Sequence, residues 1–333
     1  MKILISGYHN PHFITITEYI ERAIRTLGHE LCVFDDRQHI IPGRLRKQIQ
    51  WLSVLDLHCI NQQFKSIALH KKPDIIIVTG GHRIMPETIK TLKGKNIEII
   101  LWTIDAPIDF QPIIDVARHY DHVFCQGTEA IELLEKTGIK GARWIPMACD
   151  PDLHHPVALT DKEHRECCRD VVFIGSYYPR RAELFSKLTP FDAAIWGPGW
   201  EKLDSGSPLR KHIMGAHTTP DQWLKIYSAA KIVLASHYQD PEGRFPVYQA
   251  SPRIFEVLAC GAFLLSDRQK DVLDLFEDGK HLVCFESPDD LVSKVRYFLN
   301  HPSERHLIAK QGQEEVLKNH TYIHRIKTLF SYL

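Results

Sequence analysis

Apolar and polar positions along the chain change rhythm at regular intervals, from short unbroken apolar runs to a helical spacing and back. Lys2 to Ser6 reads as a buried strand. After the loop Gly7 to His12, the residues Phe13, Ile16, Ile20, Ala23, Ile24 and Leu27 recur at helical spacing, and Gly28 closes that helix. Glu30 to Phe34 gives a second strand, so the chain opens with a β-α-β unit whose crossover should be right-handed and whose sheet should be parallel. Between Arg44 and Leu69 a mixed stretch predicts one or two amphipathic helices. Strands follow at Asp74 to Thr79, Ile97 to Thr103 and His122 to Cys125, with helical patterns at Pro86 to Leu92 and Pro112 to His119 between them. Thr128 is the expected N-cap of a helix running to Thr137, Gly138 ends it, and Ala142 to Pro146 is extended again.

From Asp150 to Asp170 the chain is rich in proline, histidine and charge without hydrophobic periodicity, as a linker would be. The alternation then resumes with strands at Val171 to Ile174, Ala193 to Ile195, Ile232 to Ala235, Phe263 to Ser266 and His281 to Phe285. Helices are expected after Arg180 and at Pro220 to Ala229, Pro252 to Cys260, Asp289 to Leu299, Glu304 to Lys318 and from Tyr322 onward. The predicted fold class is α/β, with two Rossmann-like domains whose parallel sheets face across a cleft. Boundaries fall at 1–150 for the first domain, 151–170 for the linker and 171–320 for the second domain. Residues 321–333 form a C-terminal helix that could pack back on the first domain.

Composition narrows the function classes. Forty-one basic and forty-one acidic side chains cancel, which removes the field expected of a protein that holds long stretches of nucleic acid. No window approaches the ~20 consecutive apolar residues of a membrane span, and the apolar run after Met1 reads as a strand rather than a secretory signal. A cytoplasmic protein is expected. The eight cysteines are scattered, with no CxxC, and the twenty histidines form no HExxH, so no metal site is expected. Asp150-Pro-Asp152 matches an Asp-x-Asp metal motif formally, but it sits in the linker and is set aside.

Candidate chemistry concentrates in Ser251-Pro-Arg-Ile-Phe-Glu-Val-Leu-Ala-Cys-Gly261, a helix with proline in its first turn and glycine at its end. Arg253 and Glu256 share one face of it. A diphosphate near its N-terminus would meet backbone N–H groups and Arg253, and Glu256 could accept bonds from ribose hydroxyls, although a surface Arg-Glu pair has the same spacing. Gly175, Arg180 and Arg181, behind the strand Val171 to Ile174, are further phosphate candidates. Trp196, in Trp196-Gly-Pro-Gly-Trp200, could wall a nucleotide base; turn-making glycines and a core tryptophan account for that loop as well. In the first half, His9 and His12 follow the first strand, and Asp105 ends the strand Ile97 to Thr103 in Trp102-Thr-Ile-Asp-Ala-Pro107. These three are the candidate general bases, Asp105 preferred, and an aspartate before Ala-Pro is also a common turn former. Gly80-Gly81-His82 could merely turn the chain. The basic-aromatic stretch Arg44 to Trp51 could touch acidic acceptors or a membrane surface, or be a solvated helix face.

The runs FEVLACGAFLLSD, DLFEDGKHLVCFESPDDL and HPSERHLIAKQGQEEVLKNHTYIHR resemble the C-terminal domain of group 1 glycosyltransferases, most closely the CgeB-like spore-maturation branch, from about Val171 to the C-terminus. The resemblance implies a GT-B glycosyltransferase that takes sugar from a nucleoside-diphosphate donor, with a UDP-sugar expected, and needs no metal or other cofactor. It places donor-ribose binding on Glu256 and diphosphate contact on Ser251 and Arg253. The broader retaining family carries a second glutamate eight positions earlier, where this chain has Tyr248. The acceptor, a glycan, protein or small molecule, stays open, as does peripheral membrane contact. A non-catalytic GT-B scaffold or coat-maturation protein and a sugar-nucleotide epimerase are the alternatives.

Overall fold

The computed structural model describes residues 1–11, 13–104, 110–240 and 243–333 of the chain. It divides into two compact units. The first comprises Met1–Pro146 together with Tyr322–Leu333, and the second is Met147–Thr321.

The first unit is built on β1 (Lys2–Gly7), α1 (Ile16–Thr26), β2 (Glu30–Asp35), α2 (Gly43–Gln48), α3 (Gln50–Lys71), β3 (Ile75–Thr79), α4 (Pro86–Leu92), β4 (Glu98–Thr103), α5 (Gln111–Ala117), β5 (His122–Cys125), α6 (Thr128–Lys136) and β6 (Arg143–Trp144). All six strands are parallel, in the order β2-β1-β3-β4-β5-β6. β3 is buried along its whole length, because crossover helices cover both faces of a parallel sheet; this is why its sequence is a continuous apolar run. One face packs Leu4, Ile76, Val78, Ile99 and Leu101 against Phe64, Ile89 and Ile113. Trp102, fully buried, donates its indole N–H to the Ile145 carbonyl at 3.0 Å, so its one polar atom is satisfied.

The second unit contains α7 (Asp161–Cys167), β7 (Val171–Ile174), α8 (Pro179–Ser186), β8 (Ala193–Trp196), β9 (Ile213–Gly215), α9 (Pro220–Ala229), β10 (Ile232–Ala235), α10 (Pro252–Ala259), β11 (Leu264–Asp267), α11 (Lys270–Leu275), β12 (Val283–Phe285), α12 (Pro288–Asn300) and α13 (Pro302–Asn319). Its parallel sheet has the order β12-β11-β10-β7-β8-β9. The order reverses between β7 and β10, which pair directly, and ligands of open α/β sheets bind beyond the carboxyl ends of the strands at such a point.

The chain returns to the first unit in α14 (Tyr322–Phe330). Tyr322 is buried with its ring 5.7 Å from that of Tyr19 on α1, and Arg325 Nε donates to the Pro146 carbonyl at 3.0 Å.

Two expectations need correction. The stretch 151–170 is not featureless: it contains α7, whose N-cap Thr160 accepts from the Glu163 amide while Glu163 accepts from the Thr160 amide. Lys225 on α9 bridges Glu163 at 3.1 Å and Asp221 at 2.8 Å. No residue of α7 is buried, so an apolar period was never present to reveal it. The N-cap of α6 is Gly127, not Thr128, and the Glu129 carboxylate fills the space where a Cβ at 127 would stand. The short β9 and α11 carried no periodic signal either.

Gly312 lies inside α13, where alanine would ordinarily be favoured by about 1 kcal/mol. A Cβ there would overlap the His281 carbonyl oxygen and touch Leu258. Gly312→Ala is therefore expected to destabilise the protein by about 1–3 kcal/mol, read as a lower midpoint in thermal or urea unfolding. An unchanged or higher midpoint would show that α13 does not sit this close.

Candidate donor site and the carboxyl edges of the two sheets

At the carboxyl end of β7 the sequence Ile-Gly-Ser lets three elements meet. The Gly175 amide donates to the Trp196 carbonyl at 2.8 Å, and its carbonyl accepts the Trp200 indole N–H at 2.9 Å. A Cβ at Gly175 would stand 2.6 Å from an Nη of Arg253 and 2.8 Å from the Phe173 ring. Gly197, at φ +140°, has its α-carbon turned toward the Gly175 backbone, leaving no room for a side chain. Trp200 is a core residue, 6.1 Å from Phe185 at an interplanar angle of 11°, whereas Trp196 is half-buried.

Two guanidinium groups gather on one aromatic ring. Arg181 and Arg253 each lie 4.9 Å from the Phe173 centroid, a cation–π arrangement on both counts. Arg181, on α8, is buried and donates to the carbonyls of Ser176 and Ser236, which follow β7 and β10. Burial, reinforced by the charge of Arg253, pushes its pKa down to about 9. Among the described residues neither arginine has a carboxylate within ion-pairing distance. The buried Tyr227 lies beside Arg253. Two neighbouring cations with no carboxylate at ion-pairing distance, Asp267 acting on Arg181 only from farther off, make a place where an anion is stabilised.

The start of α10 is held by residues that carried no motif in the sequence. His237, just past β10, bonds Asp267 at the end of β11 through Nδ1 at 2.7 Å, and the Asp267 carboxylate also accepts from the His237 amide and from Gln269 at 2.9 Å. The other ring nitrogen, Nε2, accepts the Ser251 amide at 3.1 Å. That fixes the tautomer: Nδ1 carries the proton and Nε2 is the acceptor. Burial works against ionisation of Asp267, but the His237 and Gln269 bonds outweigh it and hold its carboxyl below the usual range. A histidine and an aspartate thirty positions apart give no sequence signal, and only the adjacency of β10 and β11 joins them.

Glu256 is partly exposed, one turn along α10. Beside it stands His154, fully buried, which burial keeps neutral while the Glu256 charge works the other way. Asp150 and Asp152 form a local turn there, with the Asp152 amide on Asp150 Oδ1 at 3.1 Å. Arg180 is exposed and reaches Gln239 at 3.4 Å. It and Arg181 line a groove of about 610 Å³, together with Tyr178, His237, Tyr238 and Arg268. Gly175, Ser251, Arg253 and Glu256 lie outside that lining, and Arg181 is the residue common to both groups. No cluster of three or more His, Cys, Asp or Glu suited to a metal occurs among the described residues.

In the first unit, Asp105 and His12 lie outside the described residues. His9 follows β1 and is clamped, with Nε2 on the Glu21 carboxylate at 2.6 Å and Nδ1 on the Gly7 carbonyl at 3.2 Å. Both partners are acceptors, so both nitrogens must donate, and the Glu21 bond raises the pKa above the usual 6.5. A protonated imidazole has no lone pair to take a proton, so the geometry favours a positioning role for His9 over that of a base. After β2, burial pushes Asp36 up to about 6, partly countered by Arg37 and Ser6.

Residues 180–331 match a family described as glycosyl transferase-like. Spore protein CgeB of Bacillus subtilis is 22% identical over 262 residues, covering 75% of this chain and 80% of that protein. Among solved structures, sucrose-phosphate synthase from Thermosynechococcus elongatus superposes with a TM-score of 0.72 at 13% identity, covering 100% of this chain and 98% of the other. HepE from Anabaena, solved with UDP-glucose, gives 0.65 at 12% identity with all of both chains covered. The two-unit α/β architecture is thus the GT-B fold.

Because the His9 imidazolium is stabilised by folding, its contribution is full below pH 6.5 and is lost as pH rises through the raised folded value. Proton-detected titration of the His9 ring should show a midpoint above 6.5 that Glu21→Gln returns toward 6.5. Equal midpoints in the two proteins would disprove the clamp. Gly197→Ala should cost about 1–3 kcal/mol of stability, since backbone rather than a pliable side chain faces the added methyl.

Proposed function

Because residues 180–331 match the glycosyl transferase-like family and the chain is similar to CgeB, we propose that it is a glycosyltransferase taking its sugar from a nucleoside-diphosphate donor, with a UDP-sugar as the donor chosen. The observation that carries the reading is the pair Arg181 and Arg253 on the Phe173 ring at the β7/β10 reversal, two cations without a carboxylate partner among the described residues. In this reading the donor diphosphate lies against them, with Arg180 reaching it from the groove. The backbone at the start of α10 contributes less than its sequence suggests. Pro252 has no N–H, and the amides of Ser251 and Ile254 are taken by His237 and by the Ser251 carbonyl. Side-chain cations therefore hold the leaving group, and Gly175 admits Arg253 by having no Cβ.

Glu256 accepts from the ribose hydroxyls, and Trp196 stands at the end of β8 to stack the base. In the transfer itself the bond between the anomeric carbon and the β-phosphate oxygen breaks, with its electron pair leaving on the nucleoside diphosphate. A bond forms from the acceptor oxygen to the anomeric carbon, and the acceptor proton passes to a base. Arginines supply the charge compensation in place of a metal ion. Asp105 is the residue we assign as base, since both ring nitrogens of His9 are engaged by Gly7 and Glu21. The acceptor, a glycan, protein or small molecule, is assigned to the first unit.

Calorimetry against UDP, GDP, TDP and CDP and their sugar conjugates is expected to find one base preferred. Arg253→Ala and Glu256→Ala should each weaken that binding about tenfold or more, the loss for a charge-assisted hydrogen bond. Asp105→Ala should leave donor affinity unchanged and abolish transfer. Full donor affinity in Arg253→Ala and Glu256→Ala would refute the site. No nucleotide binding at all would favour a non-catalytic scaffold, and free sugar released from donor and water alone would favour an epimerase.

A further inference from the structure

Between Asp36 and Asp56 the chain has no acidic residue, and it carries Arg37, Arg44, Arg46, Lys47 and His39. The same segment holds the densest group of exposed apolar side chains in the first unit. Trp51 is 64% and Val54 67% exposed, and Ile40, Leu45, Ile49 and Leu55 are each exposed by two-fifths or more. Trp51, Val54 and Leu55 stand three and four apart on α3, so they share one face of its first two turns. The opposite face is committed: Ile60, Phe64 and Ala68 enter the core.

The exposed face is held rigidly from below. Asp56, also on α3 and almost fully buried, accepts the amides of Ile40 and Ile41 at 2.8 Å each and His39 at 2.7 Å, with Arg46 at 3.9 Å and Arg83 at 4.0 Å. Those amide and imidazole bonds outweigh the cost of burial and keep its carboxyl below the usual range. Arg46 in turn bonds the Ile41 carbonyl at 2.9 Å. The loop, α2 and the start of α3 are thus tied to one another, and Arg44 and Lys47 are left exposed beside the apolar side chains.

We propose that this surface, made by the loop before α2, α2 itself and the first two turns of α3, docks on an anionic lipid bilayer. Trp51, Val54, Leu45 and Ile49 enter the headgroup boundary while Arg44 and Lys47 meet the lipid phosphates. An aromatic and aliphatic cluster flanked by cations is the composition of an interfacial helix. No described helix is long and apolar enough to cross a membrane, so the contact lies on the surface. A second copy of the chain fits this face poorly. A two-fold contact would bring Arg44 and Lys47 against their own copies with no carboxylate in the segment to offset them. The inference does not rest on the donor site, since lipid binding needs no nucleotide.

The test is cosedimentation of the full chain with vesicles of phosphatidylcholine alone and with vesicles that also carry phosphatidylglycerol, at low and high salt. Binding to the anionic vesicles only, weakened by salt, is expected. Arg44→Glu with Lys47→Glu should lower it at least about twentyfold, about fivefold for each cation removed, and Trp51→Ser with Val54→Ser should abolish it with the melting temperature unchanged. No vesicle binding, equal binding to neutral vesicles, or a dimer in sedimentation that Trp51→Ser with Val54→Ser dissolves would each overturn the proposal.

Discussion

The second unit depends on a single buried guanidinium. Parallel strands at a reversal point end side by side with their last carbonyls unpaired, because the loops beyond them leave in opposite directions. Arg181 spans that opening, with one Nη on Ser176 after β7 and the other on Ser236 after β10. The hydrogen bonds use its donors without neutralising its charge. Desolvation of an unpaired cation is costly, and the depressed pKa of Arg181 is the sign of that cost. The protein retains a cation under electrostatic strain at the reversal point of its sheet, where the proposed donor diphosphate would lie. An arginine needed only to tie two loops together would have been cheaper with a carboxylate at its side.

Around that centre the support comes from residues several elements away. His237 and Asp267 connect the ends of β10 and β11 to Ser251, the N-cap of α10, Tyr227 on α9 lies beside Arg253, and Phe173 on β7 carries both arginines. Five elements thus set the position of two charges. The His237 ring works in one tautomer only, so a change that removes Asp267 alters the hydrogen bond that reaches Ser251 as well.

The strand and helix order was legible because parallel strands buried on both faces leave continuous apolar runs, and crossover helices leave a stripe. Pro86–Leu92, Val171–Ile174, Pro220–Ala229 and Ile232–Ala235 are read from sequence to the residue. What stayed hidden lacked that signature: α7 is polar on every side and held by its cap and by Lys225, and β9 is three residues long. In the site, Arg181, Arg253 and Gly175 were legible from their place behind strands. His237, Asp267 and Tyr227 were not, since their meaning arises only when β10 lies between β7 and β11. The clamp on His9 was equally invisible, because Glu21 is a turn and a half along α1 and nothing in its spacing points back to the loop.

The path of the backbone also bears on how the molecule is made. The first unit includes α14, and α14 is added to the chain only after all of Met147–Thr321. Until then Tyr19 and His29 lack the rings of Tyr322 and Phe330. At the two segments where the chain passes from one unit to the other, the Cys149 amide donates to the His320 carbonyl at 3.1 Å. The half that is made first thus waits for its last helix, so a released chain truncated before Tyr322 would hold every element of the second unit and an unsealed first one.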